Sequence, residues 1–162
     1  MTTPVELAGH TQDPSGRYAI VVSRFNPEIT DGLLAGALDT LRQAGVSPDR
    51  LLIVRVPGAF ELPLAARRLA SAGGHDAVIC LGCLIKGDTM HFEYIAEAAT
   101  HGIARASETT GVPVAFGLLT TLTDEQAVVR STPGDGNKGR EAALAAIEMV
   151  TLLRTLPAGA GR

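Results

Sequence analysis

The stretch DAVICLGCLIKGDTMHFEYIAEA, Asp76–Ala98, decides the fold. Its first half is apolar without alternation: Ala77, Val78, Ile79, Cys80, Leu81, Cys83, Leu84 and Ile85 leave no polar face. Such a run suits a strand covered on both sides, as inside a parallel sheet sandwiched by helices. Lys86 and Gly87 then break it. Asp88 and Thr89 can each cap a helix, which is expected from about 89 to 109 and stops at Gly111 before Pro113. His91 falls in the first helical turn, where a strand hands over to a helix.

The same punctuation recurs to either side. RYAIVV (17–22), LLIVRV (51–56) and PVAFGLLTT (113–121) are short runs of strand type. NPEITDGLLAGALDTLRQAG (26–45) reads as a helix with Asn26 as N-cap, Pro27 at the first position and Gly45 as the stop. Ile29, Leu33, Leu34, Ala37, Leu38 and Leu41 form its apolar face. A second helix is expected over about 60–72, ending at Gly73-Gly74. TDEQ (123–126) has the form of a capping box and starts a short helix to about Arg130. A last helix runs from about Lys138 to Arg154 with Ala143, Leu144, Ile147 and Val150 inward. The order β-α-β-α-β-α-β-α-α predicts an α/β fold, a three-layer α/β/α sandwich on a four-stranded parallel sheet.

The bulk numbers agree with one domain of 162 residues, 46% apolar and 19% charged. Residues 1–16 read as an N-terminal extension lying against a neighbouring subunit, 17–155 as the domain, and 156–162 as a flexible tail. A net charge of −3 with no basic stripe argues against nucleic acid. No apolar run approaches the roughly eighteen residues of a membrane span. The N-terminus has neither the basic start nor the apolar centre of a secretory signal, so the chain reads as soluble and cytoplasmic. Cys80 and Cys83 spell C-x-x-C, but inside a strand rather than at a helix start, and read as buried thiols. Gly134, Gly136 and Gly139 spell G-x-G-x-x-G, but after a helix rather than a strand, which speaks against a dinucleotide site. His10, His75, His91 and His101 are too scattered to suggest a metal.

In a sheet of this kind ligands collect beyond the carboxyl ends of the strands. Those ends are SRFN (23–26), PGAFE (57–61), IKGDTMH (85–91) and GLLTT (117–121). A helix start after a glycine turn offers unpaired N–H groups and a partial positive charge, so Asp88 and Thr89 suggest an anion site. The Asp88 carboxylate is equally able to cap the helix and repel an anion. A helix N-terminus disfavours imidazolium, and a neutral His91 can both take and give a proton. Phe60 beside Glu61 could stack on a flat ring and bind hydroxyls; Phe25 stands at the first strand end, where core packing is as plausible. Arg130 and Lys138 flank the glycine-rich loop, and an arginine there can grip a phosphate.

Taken in order, IVVSRFN, VPGAFELP, LGCLIKGDTMHFEYI, PVAFGLLTT and GNKGREAALAAIEM resemble the 6,7-dimethyl-8-ribityllumazine synthase family of riboflavin biosynthesis, from about Arg17 to Leu153. The resemblance implies a flavodoxin-like fold. It implies condensation of 5-amino-6-(D-ribitylamino)uracil with L-3,4-dihydroxy-2-butanone 4-phosphate, the penultimate step of the pathway, with no cofactor or metal. Phe25 then matches the residue stacking on the pyrimidine, and Ala59, Phe60 and Glu61 the ribityl-binding segment. Cys83, Leu84 and Ile85 match backbone that reads the pyrimidine edge. Asp88 and Thr89 match the phosphate turn, and His91 the proton-transfer residue. Phe116 and Arg130 resemble residues given by a neighbouring subunit, Arg130 facing the phosphate, and Lys138 resembles the lysine that helps close the site.

The family forms pentamers, and many members close these into an icosahedral 60-subunit shell, in some cases around riboflavin synthase as guest. The uninserted RSTPGDGNK loop implies the shell. Cys83 stands where a threonine is common, and Lys86 where an arginine is common. The competing readings are an archaeal-type riboflavin synthase and a flavin- or lumazine-binding shell protein on the same scaffold. Arg130 and the GDT turn (87–89) argue for a phosphate site and against the first, and His91 and Arg130, with Phe25, Glu61 and Lys138, favour catalysis over the second.

Overall fold

The structure, a computed structural model, describes residues 2–158. Four strands and five α-helices follow the expected order: β1 (Tyr18–Ser23), α1 (Pro27–Gln43), β2 (Leu51–Val56), α2 (Leu62–Ala72), β3 (Ala77–Ile85), α3 (His91–Thr110), β4 (Val114–Thr121), α4 (Asp124–Ser131) and α5 (Lys138–Leu153). The strands form one parallel sheet in the order β2-β1-β3-β4. Ile20 of β1 sits between Ile53 and Ile79, and Cys80 of β3 faces Phe116 of β4. Helices cover both faces. Even-numbered residues of β1 pack with α1, α4 and α5, whereas Ala19 and Val21 pack with α2 and α3. This is the three-layer, flavodoxin-like arrangement.

β1 and most of β3 are buried on both faces, as their unbroken apolar runs predict. β2 departs from that expectation. It lies at the sheet edge, and Leu52 and Ile53 stand open although its sequence reads like that of β1. Period and composition do not distinguish an edge strand from a central one.

The helix ends correct three local readings. Asn26 does occupy the N-cap of α1, but in a left-handed conformation (φ 58°, ψ 61°) and without a side-chain cap. α3 starts at His91, two residues after the expected position, because 86–90 are spent in the turn. At α4 the Thr123 hydroxyl accepts from the Gln126 N–H (3.2 Å), while the Gln126 side chain accepts from Leu122 N–H (2.9 Å) rather than from Thr123. On α5 the inward face carries Ala142, Ala143, Ala146, Ile147 and Val150, and Leu144 is only half-buried. The small residues let α5 lie close on α1. A Cβ at Gly139 would come within 1.9 Å of the Leu33 carbonyl, so no side chain fits there.

Asn137 organises the loop between α4 and α5. It is 1% exposed, and its Nδ2 donates to the carbonyls of Gly32, Ser131 and Thr132 at 2.9–3.1 Å. Its Oδ1 accepts from Arg140 N–H, capping α5.

The amino end of the sheet is closed by a polar network. Asp13, 2% exposed, accepts from the Tyr18 hydroxyl (2.6 Å) and from Arg154 (2.6 Å), and Arg154 also reaches Asp76 at 3.6 Å. Beyond it residues 2–8 run exposed, with Val5 and Leu7 open to solvent. The chain docks on α5 at His10, whose N–H donates to Thr151 Oγ1 at 2.8 Å.

Burial by itself would raise the Asp13 pKa, but the hydrogen bonds and charge of Arg154 and the bond from Tyr18 outweigh it and hold the carboxyl below its usual value. A depressed folded pKa gives stability that is full above the unfolded value of about 4 and is lost as pH falls through the folded one. Asp13→Asn is therefore expected to lower stability in urea titrations by about 2–3 kcal/mol at pH 7. The gap to the parent should close as the pH drops below about 4; a gap independent of pH would refute the charge role.

Candidate active site

The carboxyl ends of β1, β2 and β3 open on a cleft of about 510 Å³ lined by residues of all three ends and of α3. Its size is that of a small-molecule site. At the first end, the buried Ser23 hydroxyl accepts from Phe25 N–H (3.2 Å), and Arg24 N–H donates to the Val56 carbonyl (2.8 Å). Phe25 is thereby lifted onto the rim, 64% exposed although aromatic.

The second end is a tight helical turn, Ala59–Glu61, between β2 and α2. Ala59 is buried beneath it, while Phe60 stands 59% exposed and Glu61 half-buried toward the cleft. Gly58 matters to this turn: a Cβ there would lie 3.2 Å from Glu61 Oε2, crowding the carboxylate. Phe25 and Phe60 thus offer two exposed rings, with a carboxylate between strand ends to accept from hydroxyls.

The third end carries the floor and the polar turn. Cys83 is buried, and Leu84 and Ile85 line the cleft. Lys86 N–H still pairs with the Thr121 carbonyl (2.9 Å), after which 87–90 leave the sheet. The Lys86 ammonium pairs with Glu93 at 2.8 Å, bridging the turn to the first turn of α3 and holding the Glu93 carboxyl below its usual range. Gly87, Thr89 and His91 face the cleft. Thr89 Oγ1 accepts from the backbone N–H of His91 at 3.4 Å, and both residues line the cleft at the start of α3.

The fold therefore brings Phe25, Ala59, Phe60, Glu61, Leu84, Ile85, Thr89 and His91 around one cavity. Cys83 lies just under it, and Asp88 is exposed on the turn without lining the cleft. Phe116, Arg130 and Lys138 are not brought there by their own chain. Phe116 is exposed midway along the edge strand β4, opposite Cys80. Arg130 donates to the Gln126 carbonyl of its own helix (3.0 Å), and Lys138 pairs with both Glu141 oxygens at 2.8 Å. Phe92 and Ile95 also line the cleft and escaped the sequence reading. A signal was present for Ile95, which is four residues beyond His91 on the same helix face.

The C-x-x-C reading is settled by strand geometry. Residues three apart in a strand point to opposite faces, and Cys80 packs toward α2 and α3, Cys83 toward α1 and α5. Both thiols are free. Burial pushes Cys80 up to about 12; burial, with the charges of Glu28 and Asp124, pushes Cys83 up to about 11. Among the described residues no three His, Cys, Asp or Glu side chains come together to hold a metal ion. No helix among them is long and apolar enough to cross a membrane.

A flavodoxin-like sheet whose strand ends open on a small, ring-lined cleft defines the class as an α/β protein with a cleft of small-molecule size. Residues 15–154 match the family model for 6,7-dimethyl-8-ribityllumazine synthase, and the chain belongs to that family. It is accordingly a transferase of riboflavin biosynthesis.

Because both thiols are buried and protonated, iodoacetamide at pH 8 should leave the native protein unlabelled and modify two sites per chain only in denaturant. Rapid labelling of the folded protein would show that the β3 core opens to solvent.

Proposed function

We propose that the protein condenses 5-amino-6-(D-ribitylamino)uracil with L-3,4-dihydroxy-2-butanone 4-phosphate to give 6,7-dimethyl-8-ribityllumazine, phosphate and water, the penultimate step of riboflavin biosynthesis. One observation supports the reading: an exposed aromatic ring, a carboxylate, a glycine turn before a helix and a histidine come from three strand ends into a single cleft. Phe25 stacks on the pyrimidine, and backbone at 83–85 reads its edge. The segment Ala59–Glu61 takes the ribityl chain, Glu61 accepting from its hydroxyls.

Asp88 and Thr89 belong to the turn that holds the phosphate, with N–H groups at the positive start of α3. An amine of the uracil attacks the ketone and loses water to give an imine. His91 then helps move a proton off C3, the carbon next to the imine, as phosphate leaves from C4, and the enol that remains takes a proton at C4 to become a C3 ketone. The second amine closes the ring on that new carbonyl with loss of another water. Holding two reactants together supplies much of the acceleration.

The same reading makes the site a shared one. Phe116 and Arg130 come from the adjacent subunit, where Arg130 meets the leaving phosphate, and Lys138 closes the site. Three features support the assembly: these residues lie away from the cleft of their own chain, Leu52 and Ile53 are open on the edge of β2, and residues 2–8 expose Val5 and Leu7. Pentamers are the unit, and the short 132–137 connection favours their closure into a 60-subunit shell.

Mixing protein with both substrates should release lumazine and phosphate in equal amounts. His91→Ala should slow both by about 10²–10⁴-fold without abolishing them. A variant as fast as the parent would remove His91 from the chemistry. The assembly has its own test. His91→Ala and Arg130→Ala, each nearly inactive alone, should regain activity when co-assembled, up to about a quarter of the parent rate if subunits mix at random. No recovery would put the site within one chain, and light scattering at only about five times the 16.8 kDa chain mass would refute the shell.

A further inference from the structure

Asn26 breaks a local rule. Asparagine at an N-cap ordinarily turns its side chain onto the first N–H groups of its own helix. Here it does not. Its Nδ2 instead donates to the carbonyl of Cys83, fifty-seven residues away, at 3.1 Å. The backbone is unusual as well: among the described residues Asn26 alone, glycines apart, has a positive φ. Asparagine tolerates that conformation better than most residues, but it remains a cost that the surroundings must enforce.

The place of this bond gives it meaning. Backbone pairing between β1 and β3 runs only as far as Val22 and Leu81, whereas β3 continues to Ile85 along β4. Past Leu81 the β1 side of β3 has no strand beside it, and the Asn26 amide supplies a link there. On one side of that link stands Phe25, the residue just before Asn26. On the other stand Leu84 and Ile85, just after Cys83. All three line the cleft. The carbonyl of Asn26 meanwhile accepts from Ile29 and Thr30 N–H, both at 3.0 Å, so the same residue starts α1.

We propose that Asn26 is a positioning residue for the ring-binding half of the site: its left-handed turn aims Phe25, and its amide fixes that wall against the 84–85 wall. The two walls are then held at a set separation before the ring arrives, which lowers the ordering cost of binding. This inference rests on the functional reading above. The phosphate turn at 87–90 is tied by other contacts, Lys86 to Glu93 and Lys86 N–H to Thr121, so it does not depend on Asn26.

That separation makes the test selective. Asn26→Gly keeps the left-handed turn and removes only the tie; Asn26→Asp keeps the shape and faces a carboxylate to the Cys83 carbonyl. Ala37→Gly weakens α1 away from the cleft and serves as the structural control. With the parent, steady-state rates give KM for each substrate. In both Asn26 variants KM for the ribitylaminouracil should rise about five- to tenfold, as loss of one hydrogen bond implies. KM for the butanone phosphate should stay near the parent value, and Ala37→Gly should shift neither. Unchanged KM values in the Asn26 variants, or equal rises for both substrates as in a generally loosened protein, would overturn the positioning role while leaving the synthase reading intact. A parent that forms no lumazine would overturn the functional reading, and this inference with it.

Discussion

The closure of β3 on both faces is the constraint on which the rest depends. Ala77 to Leu81 are wholly buried, with α1 and α5 on one side and α2 and α3 on the other. A buried backbone must pair all its polar groups, and a parallel ladder to β1 and β4 achieves this without a polar side chain. Even the two thiols are inert under that cover. Chemistry is therefore driven to the ends of the strands, where the backbone leaves the ladder and side chains regain water.

The two ends are used differently. At the amino end, Asp13, Tyr18 and Arg154 satisfy one another and tie the segment before β1 and the end of α5 to the sheet. Burial and the Asp13 carboxylate raise the Tyr18 pKa, so its phenol remains a hydrogen-bond donor. At the carboxyl end the polar groups stay open: Phe25, Phe60 and His91 are exposed around a cleft rather than locked into a network. The polar groups of the amino end are closed on one another, and those of the carboxyl end are left open to solvent.

Much of this was legible in the residues. The strand runs, the glycine and proline stops and the capping residues placed the elements to within a few positions, because these signals act over one or two turns of chain. The motifs at the strand ends placed most of the cleft, since parallel topology brings all carboxyl ends to one rim. Other features were not legible. The exposure of β2 depends on which strand takes the edge. The role of Asn137 depends on three carbonyls that only the packed loop brings together. Asn26 reads as an ordinary cap because its partner, the Cys83 carbonyl, is remote in sequence.

By itself the sequence determined the class of fold, the family and the kinds of group that the site contains, since each follows from local period, turn chemistry and ordered motifs. Only the tertiary structure decided which of those groups meet. Phe25, Glu61, Thr89 and His91 share a cavity, whereas Phe116, Arg130 and Lys138 point elsewhere on the same chain. The reason is physical. Spacing along a chain fixes the face of a strand or helix, but proximity across elements is set by sheet order and by close contacts such as Gly139 against Leu33.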